Sequence, residues 1–197
     1  MAEDASYRVK YRRRREGKTD YQARRILATS GRPRLVVRPS LRNIRVQLTS
    51  AELEGDHVEV STSSHELINK FGWKGGGKNT SASYLLGLIA GYKALSKGIE
   101  TSMLDMELRS PTKGARVFAV VKGAVDSGLS IAHSEEVLPA DERIRGEHIA
   151  NYARTLADNQ ETYQKRFSQY FKRGLKPEQL PEHFEQVKAR IQEAFAN

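Results

Sequence analysis

The chain of 197 residues contains no cysteine, which excludes a disulfide framework and any thiolate zinc site. Its five histidines include no H-x-x-x-H pair, so neither a metal nor another cofactor is expected. No apolar run approaches the roughly 18 residues that span a bilayer, and the start, MAEDASYRVK, lacks the apolar stretch of a secretory signal. The expectation is a cytoplasmic protein without a membrane partner. Apolar residues make up 38% of the chain and charged residues 29%. That is enough for a single hydrophobic core, with wet extensions around it.

The charge is spread unevenly. Of the net +9, residues 1–45 carry 14 Lys or Arg against four acidic residues, a balance of +10, while the remaining 152 residues carry 19 basic and 20 acidic, a balance of −1. The excess sits in an N-terminal segment attached to a near-neutral body, as expected of an arm that seeks a polyanion. Residues 7–18, YRVKYRRRREGK, have neither helical nor strand periodicity, and four adjacent arginines repel one another. This stretch is expected to be disordered without its partner.

Asp20 is placed to cap a short helix, Tyr21 to Thr29, ending before Pro33. Strands are expected at Arg34 to Arg38, Ile44 to Thr49 and His57 to Ser61, with Arg45, Gln47 and Thr49 alternating against Ile44, Val46 and Leu48 to leave one face polar. Ser64 is a candidate cap for a helix His65 to Phe71. The spacing of Tyr84, Leu85, Leu88, Ile89, Tyr92 and Leu95 predicts a buried helix over 80–97, stopped by Gly98, with Gly87 and Gly91 letting it lie close to a sheet. A strand over 102–106 and a helix from about 112 to 127 follow, so the core reads as α/β with at least one crossover. Beyond Pro139 three polar helical stretches are expected, over 143–156, 161–172 and 181–195. The second carries Tyr163, Phe167, Tyr170 and Phe171 among Lys165, Arg166, Lys172 and Arg173. These rings either pack the extension onto the core, the favoured reading, or present aromatic and basic groups together.

Several constellations bear on chemistry. Guanidinium groups bind phosphate oxygens through paired hydrogen bonds and stay charged, and Tyr7, Tyr11 and Tyr21 beside them suit stacking on unpaired bases of folded RNA. A basic architectural arm for duplex DNA rests on charge alone. The loop GWKGGGKNT has the G-x-x-x-x-G-K spacing of a phosphate-binding loop over Gly72 to Lys78, so a nucleotide-binding phosphotransferase is the alternative reading. It lacks the magnesium-binding Ser or Thr, because Asn79 stands there, and no apolar strand leads into it. The loop's amides with Lys74 and Lys78 suit an RNA phosphate instead. His133 has no nucleophile or paired carboxylate near it in sequence, so no catalytic residues are expected.

Four segments carry a family likeness: YRVKYRRRREGKTDYQARR (7–25), RLVVRPSLRNIRVQ (34–47), KNTSASYLLGLIAGYKAL (78–95) and VKGAVDSGLSIAHSEEVLP (121–139). Together they resemble the eighteenth universal family of large-subunit ribosomal proteins in its archaeal form, whose eukaryotic counterpart is the fifth large-subunit protein. The resemblance implies an α/β fold: a three-layer mixed sheet with packed helices and ribonuclease H-like topology, without that fold's catalytic carboxylates. It implies a basic RNA-binding arm with a short helix over 1–30, a core over 31–140 and a helical C-terminal extension over 141–197. It also implies a non-enzymatic constituent of the large ribosomal subunit that binds 5S ribosomal RNA in the central protuberance. Expected partners are that RNA, large-subunit ribosomal RNA and neighbouring ribosomal proteins, among them the fifth universal one. The RNA-binding residues implied are Arg8, Lys10, Tyr11, Arg12, Arg13, Arg14, Arg15, Lys18, Tyr21, Arg24 and Arg25 of the arm, Arg42 and Arg45 of the polar sheet face, and Lys74, Lys78 and Asn79 of the loop.

Overall fold

The computed structural model of the chain describes residue 4 and residues 6–196. In chain order its elements are α1 (Arg12–Arg15), α2 (Tyr21–Thr29), β1 (Arg34–Pro39), β2 (Ile44–Ala51), β3 (Asp56–Ser63), α3 (Ser64–Phe71), α4 (Thr80–Leu95), β4 (Thr101–Asp105), α5 (Arg116–Asp126), β5 (Ser130–Ile131), α6 (Asp141–Arg145), α7 (Glu147–Thr155), α8 (Gln160–Lys172) and α9 (Leu180–Phe195). The five strands form one mixed sheet in the order β3-β2-β1-β4-β5. The β1–β2 and β2–β3 pairs are antiparallel, whereas β1–β4 and β4–β5 are parallel. This is the expected α/β fold with ribonuclease H-like strand order.

Alternation along the strands divides the sheet into two faces. Leu35, Val37, Ile44, Val46, Leu48 and Val60 face the core, where α4 and α5 pack. Arg34, Val36 and Arg38 of β1 point the other way, opposite Thr49, Gln47 and Arg45 of β2. A bulge in β3 shifts the register between Leu48↔Val60 and Thr49↔Val58, so Glu59 is the extra residue. Without it, Asp56 and Val58 would share the core face with Val60; the bulge turns both outward. Asp56 thereby meets Arg34 at 2.6 Å. Arg34, 2% exposed, also reaches Asp105 at 3.2 Å, and Arg38 bridges Asp105 at 3.6 Å and Glu107 at 3.1 Å. Asp20 caps α2 as expected, accepting from the amides of Gln22 and Ala23 at 3.0 and 3.1 Å. Arg24 then ties α2 to the outer face through Asp56 at 2.7 Å.

On the core side α4 is buried around its circumference, with Thr80 through Gly91 and Ala94 all enclosed. One side rests on β2 and β3 and another on α5. The expectation that Gly87 and Gly91 approach the sheet is corrected here, because both face α5. A side chain at Gly87 would overlap the backbone of Val120, and one at Gly91 would overlap Ser127. The fit is mutual: a methyl group at Gly123 of α5 would overlap the carbonyl oxygen of Tyr84. Two helices of one layer thus approach backbone to backbone, which only glycine permits. The back of this layer is covered by α6 and α9. Leu180, Phe184, Val187 and Ile191 of α9 belong to the same buried cluster as the sheet residues, Phe184 packs on Tyr84 at 5.7 Å between ring centroids, and Phe195 stacks on Tyr92 at 5.4 Å.

Three other local expectations change. Residues 12–15 form one helical turn, with Glu16 donating to the carbonyl of Arg12 at 2.9 Å, because the local hydrogen bonds of a single turn can form while all four arginines stay exposed. Ser64 begins α3 but does not cap it. Its buried hydroxyl donates to the Gly77 carbonyl at 2.5 Å and accepts from the Ile44 amide at 2.9 Å. The helix expected over 143–156 breaks in two at Gly146, where φ is +88°.

Two stability predictions follow from these contacts. Gly123→Ala is expected to cost about 1–3 kcal/mol in urea unfolding, because two backbones must separate to admit one methyl group. Arg34→Ala, which leaves Asp105, its side chain 6% exposed, with only the longer Arg38 pair at 3.6 Å, is expected to cost about 3 kcal/mol by the same measurement at neutral pH, the low end for breaking a buried pair because one partner remains.

Candidate nucleic-acid interface

The arm is laid open along its length. Residues 6–18 are all exposed, with Tyr7, Tyr11 and Tyr21 at 54%, 85% and 41%. Arg13 donates to the Thr19 hydroxyl at 2.9 Å, and Lys18 pairs with Glu16 at 2.6 Å. Arg8, Lys10, Arg12, Arg14, Arg15 and Arg25 have no ion pair among the described residues. Arg24 differs, since its pair with Asp56 fastens α2 to the sheet. Arg45 is exposed on the outer sheet face.

A second basic region is built around the glycine-rich loop. Residue Gly72 ends α3 in the left-handed conformation, and Trp73 then turns inward, 1% exposed. Its indole Nε1 donates to the Gly76 carbonyl at 3.1 Å, and its ring lies so close to Gly75 that a side chain there would overlap it. The indole stacks on His183 of α9 at 5.3 Å between ring centroids, and His183 Nε2 accepts the Lys74 amide at 3.0 Å. Asn79 closes the loop by capping α4, its Oδ1 accepting from the Ala82 amide at 2.7 Å. The loop is therefore a braced structure that lifts Lys74 and Lys78 toward solvent. Together with Arg42 from the β1–β2 turn and Arg173 after α8, they line a cleft of about 340 Å³. Burial pushes the Tyr170 hydroxyl, also in this cleft, above its ordinary pKa, so the ring is un-ionised at neutral pH.

Of the residues expected to bind RNA, the fold gathers Arg42, Lys74, Lys78 and Asn79 into this one cleft. The arm residues and Arg45 are not part of its lining. Asn79 serves mainly as a helix cap and Arg24 as a clamp. Arg173 was visible in sequence only as one of several cations near an aromatic stripe, and no local pattern links it to a loop 98 residues earlier, whose Gly75 carbonyl its guanidinium hydrogen-bonds. The aromatic stripe itself is mostly internal packing: Phe167 is buried among Tyr152, Tyr163 and Tyr170. Burial, reinforced by the hydrogen bond that the Tyr163 hydroxyl donates to Glu178 at 2.6 Å, pushes the Tyr163 pKa up to about 12. His133 is satisfied locally, its Nδ1 lying 2.7 Å from the Ile131 carbonyl. Among the described residues no group of histidines and carboxylates is arranged to hold a metal, and no helix is long and apolar enough to cross a membrane.

Residues 5–102 and 97–134 match the family model described as ribosomal large subunit proteins 60S L5 and 50S L18. The chain belongs to this family. It is 54% identical over 197 residues to the large ribosomal subunit protein uL18 of Caldivirga maquilingensis, covering 100% of this chain and 95% of that one. With the uL18 of Aeropyrum pernix it shares 54% identity over 196 residues, 99% of this chain and 92% of the relative. Membership makes this chain a constituent of the large ribosomal subunit in the cytoplasm, acting in translation, with ribosomal RNA and ribosomal proteins as its partners. It is a structural protein and not an enzyme, which removes the phosphotransferase reading of Gly72 to Lys78.

The His183 contact has a pH signature. Burial holds its pKa below the ordinary 6.5, and the nearby charges of Lys74 and Arg190 push the same way. The folded protein therefore binds fewer protons than the unfolded chain as pH falls from 6.5 toward the lowered value, and stability declines through that window. Protonation also removes the acceptor for the Lys74 amide. His148 is lowered too, by burial and Arg143, so some dependence remains without His183. His183→Gln, which keeps an acceptor, is expected to show a shallower loss of stability than wild type between about pH 7 and about pH 5; equal slopes in urea unfolding would refute this.

Proposed function

We propose that this ribosomal protein binds 5S ribosomal RNA and helps to anchor it in the central protuberance of the large subunit, with the exposed arginine and tyrosine arm as its principal contact. The observation that carries this reading is the arm itself: a net +10 over residues 1–45, with Arg8, Lys10, Tyr11, Arg12 to Arg15 and Lys18 all exposed. Such a segment gains affinity by releasing counterions from RNA phosphates, while the tyrosine rings stack on unpaired bases. The resemblance of residues 7–25 and 121–139 to the archaeal family supplies the identity of the RNA. In this reading the chain is organised as an arm over 1–30, a core over 31–140 and a helical extension over 141–197. Tyr21 and Arg25 continue the arm's contact, and Arg42, Arg45, Lys74 and Lys78 extend it across the body. Arg24 and Asn79 support that surface from beneath, through Asp56 and the α4 amides. The fifth universal large-subunit protein is the proposed protein neighbour.

Binding of 5S ribosomal RNA by the full-length protein is expected to fall about a thousandfold between roughly 50 and 200 mM salt. Deleting residues 1–18 should abolish most of that slope and most of the affinity, and duplex DNA of similar length should compete poorly. Equal binding by the truncated protein, or preference for the DNA, would overturn the reading.

A further inference from the structure

The cleft beside the glycine-rich loop brings together four cations from three distant parts of the chain: Arg42 from the β1–β2 turn, Lys74 and Lys78 from the loop, and Arg173 from the segment after α8. Among the described residues no acidic side chain lines it. None of the four has an ion pair among the described residues. This contrasts with the outer sheet face, where Arg24, Arg34 and Arg38 are matched by Asp56, Asp105 and Glu107. Unmatched like charges held this close repel one another, and a bound anion relieves that repulsion.

The geometry around the cations is fixed in advance. The Arg173 guanidinium is held over the loop by its hydrogen bond to the Gly75 carbonyl. Arg116 adds a fifth positive charge nearby, donating to the Lys78 carbonyl at 3.5 Å. The loop floor is braced by Trp73, Gly76 and His183, and Asn79 is held there by capping α4 through its Oδ1. A preorganised set of donors loses little entropy on meeting a phosphate, and guanidinium and ammonium groups are the side chains suited to its oxygens. The cleft has no carboxylate for magnesium, so it suits a singly charged phosphodiester better than a metal-bound nucleotide.

We infer that this cleft is a binding site for an RNA backbone phosphate, and that the C-terminal helical segment takes part in RNA binding through Arg173. The inference rests on the RNA-binding reading above but is separate from the arm, because none of the arm residues Arg8 to Arg25 proposed to contact RNA lines the cleft. It assigns to the C-terminal segment, otherwise a cover for α4, a direct role at the RNA surface.

The test uses the full-length protein with 5S ribosomal RNA and, separately, with protein-free large-subunit ribosomal RNA. Binding is measured across a salt series for wild type, Arg42→Ala, Lys78→Ala and Arg173→Gln. Arg173→Gln also removes a hydrogen bond within the loop, so the first two variants carry the decision if it misfolds. Trp73 is the only tryptophan in the chain, and its unchanged emission without RNA certifies an intact loop in each variant. Each variant is expected to weaken binding of at least one of the two RNAs by about tenfold and to lower the salt slope by about 1, and that RNA should perturb Trp73 emission in wild type. The inference is overturned if the variants with intact loops bind both RNAs with wild-type affinity and slope, including the case in which inorganic phosphate alone perturbs Trp73. Failure of wild type to bind either RNA would overturn the RNA-binding reading as well, which distinguishes the two failures.

Discussion

Helix α4 has no solvent face, and the arrangement of the rest of the molecule follows from that constraint. A helix apolar on every side must be enclosed by several elements at once. The sheet covers one side, α5 another, and α6 and α9 the remainder. Because Gly87, Gly91 and Gly123 bring α4 and α5 into backbone contact, the two act as a single rigid layer. The C-terminal helices are then recruited by the apolar back of that layer, through Phe184 on Tyr84 and Phe195 on Tyr92. Docking α9 there places His183 beneath Trp73. The path of the chain from α8 into α9 carries Arg173 to the edge of the glycine-rich loop.

Charge is sorted by the same packing. The N-terminal third of the chain looks uniformly basic in sequence, but its arginines meet two fates. Arg24, Arg34 and Arg38 find carboxylates on the outer sheet face and knit α2, β1, β3 and β4 together. The Glu59 bulge is what makes this possible, since it alone turns Asp56 to that side of the sheet. Buried ion pairs of this kind contribute modest net stability but strongly disfavour arrangements that leave one partner alone. Of these pairs only Arg34 with Asp105 is buried on both sides; the pair of Arg24 with Asp56, exposed at 44% and 30%, marks where α2 meets the sheet. The other cations, on the arm and around the loop, remain available to an external polyanion, as suits a protein of the large ribosomal subunit.

Features set by neighbours in sequence were legible before the fold was seen. Asp20 as the cap of α2, the alternation of Ile44, Val46 and Leu48, the helical stripe of Tyr84 to Leu95 and the strand expected over 102–106, observed at Thr101–Asp105, all depend on local hydrogen bonding or on a simple period. The exposed arm was legible for the same reason, because a run of arginines with little apolar material has nothing to bury. Where local reasoning failed, a distant partner had intervened. Ser64 gave its hydroxyl to Gly77 and Ile44 instead of its own helix. Gly87 and Gly91 met a helix where a sheet was expected, since a glycine announces close approach without naming what approaches.

By itself, then, the sequence determined the α/β class, most elements up to α5, the family and the basic arm, because periodicity, capping and clustered charge are written in adjacent residues; the two-residue β5 and the division of α6 from α7 were not legible there. Only the tertiary structure decided which cations are neutralised and which stay free. Arg34 and Asp105 are 71 residues apart, and Arg173 and Gly75 are 98 apart; whether such groups meet depends on how layers stack and where a strand bulges. The cleft beside Trp73 exists for that reason, as a product of three segments that share no pattern and meet only because α4 had to be covered.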